Sequence, residues 1–263
     1  MKKLITLVLI IIMTVRMNAQ ENQQQLYLLF EFMQVNDEQE SDYWQVEEFW
    51  SGIHKQRVAD KAILGWDMWS LTPAGEEQGS RYMTVTLFAS LKDMLQAATS
   101  WDIDNNVKKA YPDMKGKELN AMFDKTAKSR DIAHQVYLKQ TDKTTNSFEM
   151  KIGTVATIDI MKQLDEGYEK AESGIFKPWH QEMVTKGKKG SWQILRVILP
   201  AGSDSYGTHM TVSMYKDAAQ LAAFMENTDG GEMDLMTELA VKEGFKTREW
   251  KELKIATLQK MVR

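Results

Sequence analysis

Two carboxylates stand in the middle of otherwise apolar runs: Glu31 within 27–35 and Asp159 within 154–161. A carboxylate taken out of water either pairs with a neighbour or holds its proton to higher pH, and both outcomes suit acid–base work. A second pair of runs supplies polar company, Tyr82 and Thr84 in one and His209 and Thr211 in the other. The expected set is Glu31, Asp159 and His209 as acid–base groups, with Tyr82, Thr84, Thr211 and Arg196 as ligand contacts, Arg196 as counter-charge. His54 and His180 are the remaining candidates. Each has an aromatic residue four positions before it (Trp50, Phe176) and a valine four after (Val58, Val184). On such a helical stripe a histidine is expected to be a buried ring bonded to a neighbour, with ligand contact as the alternative.

Other chemistries find little support. The chain has four histidines and no cysteine, and lacks the closely spaced ligands that a zinc centre needs. It has no glycine-rich dinucleotide loop, no phosphate loop and no serine elbow. Neither a metal nor a cofactor is expected.

The candidate residues recur because the chain repeats itself. Phe30-Glu31-Phe32-Met33 has its counterpart in Ile158-Asp159-Ile160-Met161, 128 residues on. His54 and Trp66 match His180 and Trp192 at an offset of 126. Pro73-Ala74-Gly75 and the run from Tyr82 match Pro200-Ala201-Gly202 and the run from His209 at an offset of 127. Three blocks in one order mark a duplication. The repeats span 26–141 and 151–262, joined by a polar linker over 142–150.

Each repeat must position its candidates with the same elements. A β-rich run opens it, followed by a helix with Val46, Phe49, Trp50 and Ile53 on one stripe. A strand then ends at Pro-Ala-Gly, and an alternating strand follows. Helices over 91–98 and 218–225 precede a closing strand at 135–139 and 253–258. The order β-α-β-β-α-β is the split βαβ or ferredoxin-like arrangement. Met83, Val85 and Leu87 share one face of their strand, and Tyr82, Thr84, Thr86 and Phe88 the other. Met210, Val212 and Met214 oppose His209, Thr211, Ser213 and Tyr215 in the same way. The apolar faces are expected under helices, and the mixed faces, with Glu31 and Asp159, across a shared interior.

Two such modules in one chain, with an aromatic-rich first helix and an alternating third strand, resemble the dimeric α/β-barrel superfamily. The resemblance implies an α+β fold in which two fused ferredoxin-like modules form a pseudo-two-fold barrel with their sheets face to face. The superfamily includes monooxygenases and haem-dependent members, but none of their catalytic signatures maps onto this chain residue by residue. If haem were bound, His54, His180 or His209 could each be the proximal ligand, and spacing favours none.

The first nineteen residues read as a secretory signal peptide: Lys2 and Lys3, an apolar run from Leu4 to Val15, and a small residue, Ala19, before a polar start. The run is too short to span a bilayer. Export to the periplasm or beyond is therefore expected, with no membrane association after cleavage. Removing its three cations and no acid takes the formal net charge from −4 to −7, which argues against nucleic-acid binding. At 43% apolar residues the chain can build a full core. Three functional classes stay open. One is a binder of a small molecule in the interior between the sheets. Another is an oxygenase- or isomerase-like enzyme that uses a barrel carboxylate without a cofactor. The third is a structural or interaction protein with a packed interior.

Overall fold

The computed structural model describes residues 25–36, 38–75, 78–227 and 233–263. The expected signal peptide, 1–19, lies outside them. In chain order the first half contains β1 (Tyr27–Val35), α1 (Glu40–Ala59), β2 (Gly65–Thr72), β3 (Tyr82–Phe88), α2 (Leu91–Ser100), α3 (Ile103–Ala110), α4 (Gly116–Ser129) and β4 (Arg130–Lys143). The second half contains β5 (Val155–Gln163), α5 (Tyr168–Ala171), a π turn (Glu172–Phe176), α6 (Lys177–Thr185), β6 (Ser191–Leu199), β7 (His209–Tyr215), α7 (Ala218–Glu226), α8 (Leu235–Lys246) and β8 (Arg248–Val262). Both halves follow the β-α-β-β-α-β order.

The closing strands start about five residues earlier than alternation suggests, at Arg130 and Arg248. Charged residues at their starts (Arg130, Asp131; Arg248, Glu249) hide the strand period, and bulges opposite Phe32/Met33 and Ile160/Met161 break it. β4 also runs through Asp142 and Lys143, into the stretch expected as linker.

Among the described residues the strands close into one antiparallel barrel, in the order β1-β3-β2-β8-β5-β7-β6-β4. Each half contributes four strands, and the halves join along β2–β8 and β4–β6. Both β2 and β6 end at a cis proline, Pro73 and Pro200.

Closure decides which face is dry. Leu28, Phe30, Phe32, Met83 and Val85 pack with Ile158, Ile160, Met210 and Val212 of the other half in a single buried cluster. The apolar faces therefore meet across the barrel interior, and the mixed faces lie under the helices. This reverses the expected orientation. An eight-stranded barrel is narrow enough for its inward side chains to fill it, and each such buried side chain contributes about 1.5–3 kcal/mol. Polar groups inside the barrel are paired, Lys254 with Glu252 beside one hollow and Arg263 with Asp67 beside the other, and the unmatched mixed faces lie in the layer between sheet and helices. Hollows of about 260 Å³ and about 150 Å³ remain within the barrel, lined respectively by Phe32, Ile160 and Met210 and by Leu28, Val85 and Val212. No helix among the described residues is long and apolar enough to cross a membrane.

Candidate functional site

The register of β1 and β3 places Glu31 opposite Thr84, and that of β5 and β7 places Asp159 opposite Thr211. Thr84 Oγ1 donates to Glu31 at 3.2 Å, Gln135 Nε2 donates to the same carboxylate at 2.8 Å, and Thr211 Oγ1 donates to Asp159 at 3.4 Å. Each carboxylate faces the helices of its own half. The two do not share an interior, because the apolar barrel core lies between the sheets.

In the first half a cavity of about 580 Å³ opens between the sheet and its helices. Glu31, Thr84 and Thr86 form its floor, while α1 contributes Glu47, Trp50, His54 and Arg57. Trp66, Trp101 and Tyr137 supply aromatic wall. Residues 47, 50, 54 and 57 fall three to four apart, so one face of α1 delivers all four.

His54 stacks on Trp66, with centroids 4.9 Å apart and planes at 16°. Its Nδ1 lies 3.2 Å from Arg57 Nη1. A guanidinium only donates, so Nδ1 accepts and the ring proton is assigned to Nε2. Burial, and then the Arg57 charge, hold the imidazole neutral well below its ordinary range.

The second half repeats this design with different contents. His180 stacks on Trp192, with centroids 4.7 Å apart and planes at 13°, and its Nδ1 meets Lys189 Nζ at 3.1 Å. Burial and then Lys189 push its pKa down to about 2. Lys189, only 3% exposed, also donates to Ser213 at 3.0 Å and sits among Trp179, Tyr215 and Phe224. Ser213 and His180 correspond to Thr86 and His54, so Lys189 fills the space that stays open in the first half. Burial lowers its pKa to about 7, against the attraction of Asp159. Burial raises Asp159 to about 6, against the pull of Lys189.

The other candidates are held elsewhere. Tyr82 donates to Glu40 at the start of α1 and packs on Tyr43, with centroids 4.6 Å apart. Burial and then Glu40 raise its pKa to about 12. Arg196 does not serve Asp159: it forms a two-pronged pair with Glu169, whose Oε1 also meets His209 Nε2 at 3.0 Å. The structure thus brings Glu31, Thr84 and His54 together in one half and Asp159, Thr211 and His180 in the other. Tyr82, Arg196 and His209 point to helix starts instead.

Sequence reasoning missed a buried cluster that both halves share. Tyr43 and Glu47 of α1 meet Arg130 at the start of β4, while Tyr168 and Glu172 meet Arg248 at the start of β8. Glu47 and Arg130 lie 2.7 Å apart, an ion pair rather than a well-aligned hydrogen bond. Burial dominates both carboxyls, raising Glu47 to about 7 and Glu172 to about 6 against their arginines. The signal was present as a repeated Tyr-x-x-x-Glu at an offset of 125, which departs from the 126–128 of the other blocks.

No known family profile matches the chain, and no curated protein does. Solved structures do match. A provisionally named monooxygenase from Fusobacterium nucleatum is 10% identical, with 92% of this chain and 95% of that one covered and a TM-score of 0.57. An anthrone oxidase-like protein is 12% identical, over 91% and 93%, with a TM-score of 0.51. A heme-binding protein from Thermus thermophilus is 10% identical, over 89% and 90%, with a TM-score of 0.50. The closed eight-stranded barrel with helices outside it is consistent with a dimeric α/β-barrel fold. At such identities the likeness to these solved structures extends to fold alone.

Heme binding in one relative invites a test of the three site histidines. An axial ligand needs a ring-nitrogen lone pair free for iron, with the other nitrogen donating to an acceptor. His54 and His180 instead turn Nδ1 to a cation, which leaves the proton on Nε2. His209 uses both nitrogens, with Nδ1 at 3.0 Å from Thr208 Oγ1 and Nε2 on Glu169. None of the three is set up to ligate iron.

Proposed function

We propose that this chain is an exported protein that binds a small organic molecule in the first-half cavity between sheet and helices. The cavity carries this reading. Its volume of about 580 Å³ falls within the roughly 300–1,000 Å³ of ordinary ligand sites. Its walls are aromatic, and a few polar groups (Glu31, Thr84, His54, Arg57) converge on it. The packed barrel interior, taken alone, is what an interaction protein would have. The second half has a cleft of about 470 Å³ as well, but it is lined by Phe148, Val184, Lys189 and Gln220 and not by His180, Asp159 or Thr211, so the polar groups converge on open volume in the first half. Export is supported by the N-terminal pattern of charge and hydropathy.

Ala97 of α2 lines the cavity, so Ala97→Trp would fill it with an indole. Native mass spectrometry of the purified chain is expected to show a small-molecule adduct, and the variant should lose it while keeping its circular dichroism and melting point. An adduct carried equally by the folded variant would sink the proposal.

Acid–base turnover in the same cavity is a second reading, favoured by Glu31 on the floor and by Glu47 behind it with its carboxyl near neutrality. In this reading Glu31 touches the ligand and takes its proton, in oxygenase- or isomerase-like chemistry that needs no cofactor. Glu31→Gln should then abolish conversion of the bound molecule while leaving its affinity within about threefold. Undiminished turnover would remove Glu31 from the reaction.

A further inference from the structure

The first-half cavity contains a buried cation with no carboxylate in contact: Glu31, on the cavity floor, attracts it from beyond ion-pair distance. Arg57 is 4% exposed. Its contacts among the described residues are Nη1 to His54 Nδ1 at 3.2 Å and its flat face on Trp101, 4.1 Å from the ring centroid. It forms no ion pair there, whereas Arg130 and Arg248, the half-buried arginines of this layer, are paired with Glu47 and Glu172. A guanidinium has five N–H donors in a rigid fork. Stacking on Trp101 uses its face and His54 uses one edge donor, which leaves the rest of the edge for the cavity that Arg57 lines.

The second half serves as an internal control. Lys189 holds the equivalent place against the equivalent histidine, but its donors go to His180 and Ser213 and three aromatic rings enclose it. Lys189 also borders a cleft, but its ammonium is taken up by His180, Ser213 and the rings, whereas most of the Arg57 edge is left to the cavity. Burying a charge whose edge touches no carboxylate is costly, and the distant attraction of Glu31 leaves that edge open to a partner from outside the chain.

We infer that the ligand of the first-half site is an organic carboxylic acid with a flat, conjugated body, its carboxylate held on the edge of Arg57. The inference rests on the cavity reading above and names its ligand class. Paired N–H donors match the two oxygens of a carboxylate, and Trp50 and Tyr137 line the cavity as aromatic wall for a planar body. Neither acid in the wall is in ion-pair contact with Arg57. Thr84 and Gln135 hold the Glu31 carboxylate on the sheet floor. Glu47 is paired with Arg130 and takes up a proton near neutrality.

The test uses the full mature chain and two probes of one shape, 2-naphthoate and its uncharged counterpart 2-naphthamide, titrated by calorimetry. The wild-type protein should bind the carboxylate at least about tenfold more tightly, as a charge-assisted pair allows. Arg57→Gln should erase that preference, bringing the affinities for the two probes to within about twofold of each other. Arg57→Lys should keep part of it, which guards against misfolding of the glutamine variant. Equal binding of both probes by the wild-type protein, blocked by Ala97→Trp, would overturn the anion inference and leave the cavity reading standing. A preference that survives in folded Arg57→Gln would overturn the assignment to Arg57. Failure of the wild-type protein to bind either probe would overturn both readings.

Discussion

Glu47 and Lys189 are buried charges whose protonation costs run in opposite directions, which makes each separately measurable. In the unfolded chain Glu47 loses its proton near 4.5, whereas burial in the fold holds it to about 7. The folded state therefore binds more protons between those values, and stability falls as pH rises through that window. A displacement of this size corresponds to about 3 kcal/mol. Glu47→Gln, which cannot ionise, should flatten this slope, so urea denaturation should show the variant gaining on the wild type from pH 4.5 to 7. Parallel curves would show that Arg130 compensates the charge fully. Lys189 behaves conversely. Its unfolded value is 10.5 and its folded value about 7, so the unfolded chain holds the extra proton in between and stability rises with pH. Lys189→Met should stabilise most below pH 7 and progressively less toward pH 10.5, read from the same denaturation series. An advantage that does not shrink with pH would mean that packing, rather than charge, sets its effect.

The π turn explains how two helices of unequal spacing present the same groups. Glu47 precedes His54 by seven residues, about two turns of α-helix, so both face the sheet. Glu172 precedes His180 by eight, which in a regular helix would swing one of them off that face. The turn over Glu172–Phe176 absorbs the extra residue and restores the stack of His180 on Trp192. Deleting Gly174 should thus yield a regular helix with the first-half spacing and a cooperative melt. Deleting Gly52 from α1 should abolish cooperative melting, because no widened turn is available there to lose. Gly174 deletion giving the worse melt would refute this account. Elements of this kind also mark how far sequence reading reaches. Alternation in 82–88 and 209–215 identified the strands and their two faces, and the repeat located the equivalent histidines. Alternation is silent on which face is inward, because a barrel covers both. Glu47 and Glu172 were hidden in helices whose polar residues look solvated, and the extra residue of the π turn blurred their alignment. Arg57 has no counterpart in the other half, where Met183 stands at the same offset, so the repeat could not reveal it.

Barrel closure makes each half the missing wall of the other. Leu28, Phe30, Phe32, Met83 and Val85 are buried only because Ile158, Ile160, Met210 and Val212 lie across from them. The edges of the first-half sheet, β2 and β4, hydrogen-bond to β8 and β6, so a half alone would carry two unpaired edges and a bare apolar face. Such a surface drives association. The two halves also follow one strand order and join along both seams with the same antiparallel sense, so a first half meeting its own copy can pair β2 with β4 in the manner of β2 with β8. Residues 25–143 expressed alone should therefore form a two-fold dimer whose mass by light scattering is twice that of one chain. Its sheet–helix cavity, built within one half, should survive in both copies and give two naphthoate sites per dimer. Phe30→Asp, which sets a charge in the middle of the dry interface, should dissociate the dimer and unfold the half together, in one transition that depends on protein concentration. A half that remains a folded monomer at micromolar concentration would show that the helical layer alone stabilises the sheet, and that the barrel interior is an accessory to this fold rather than its foundation.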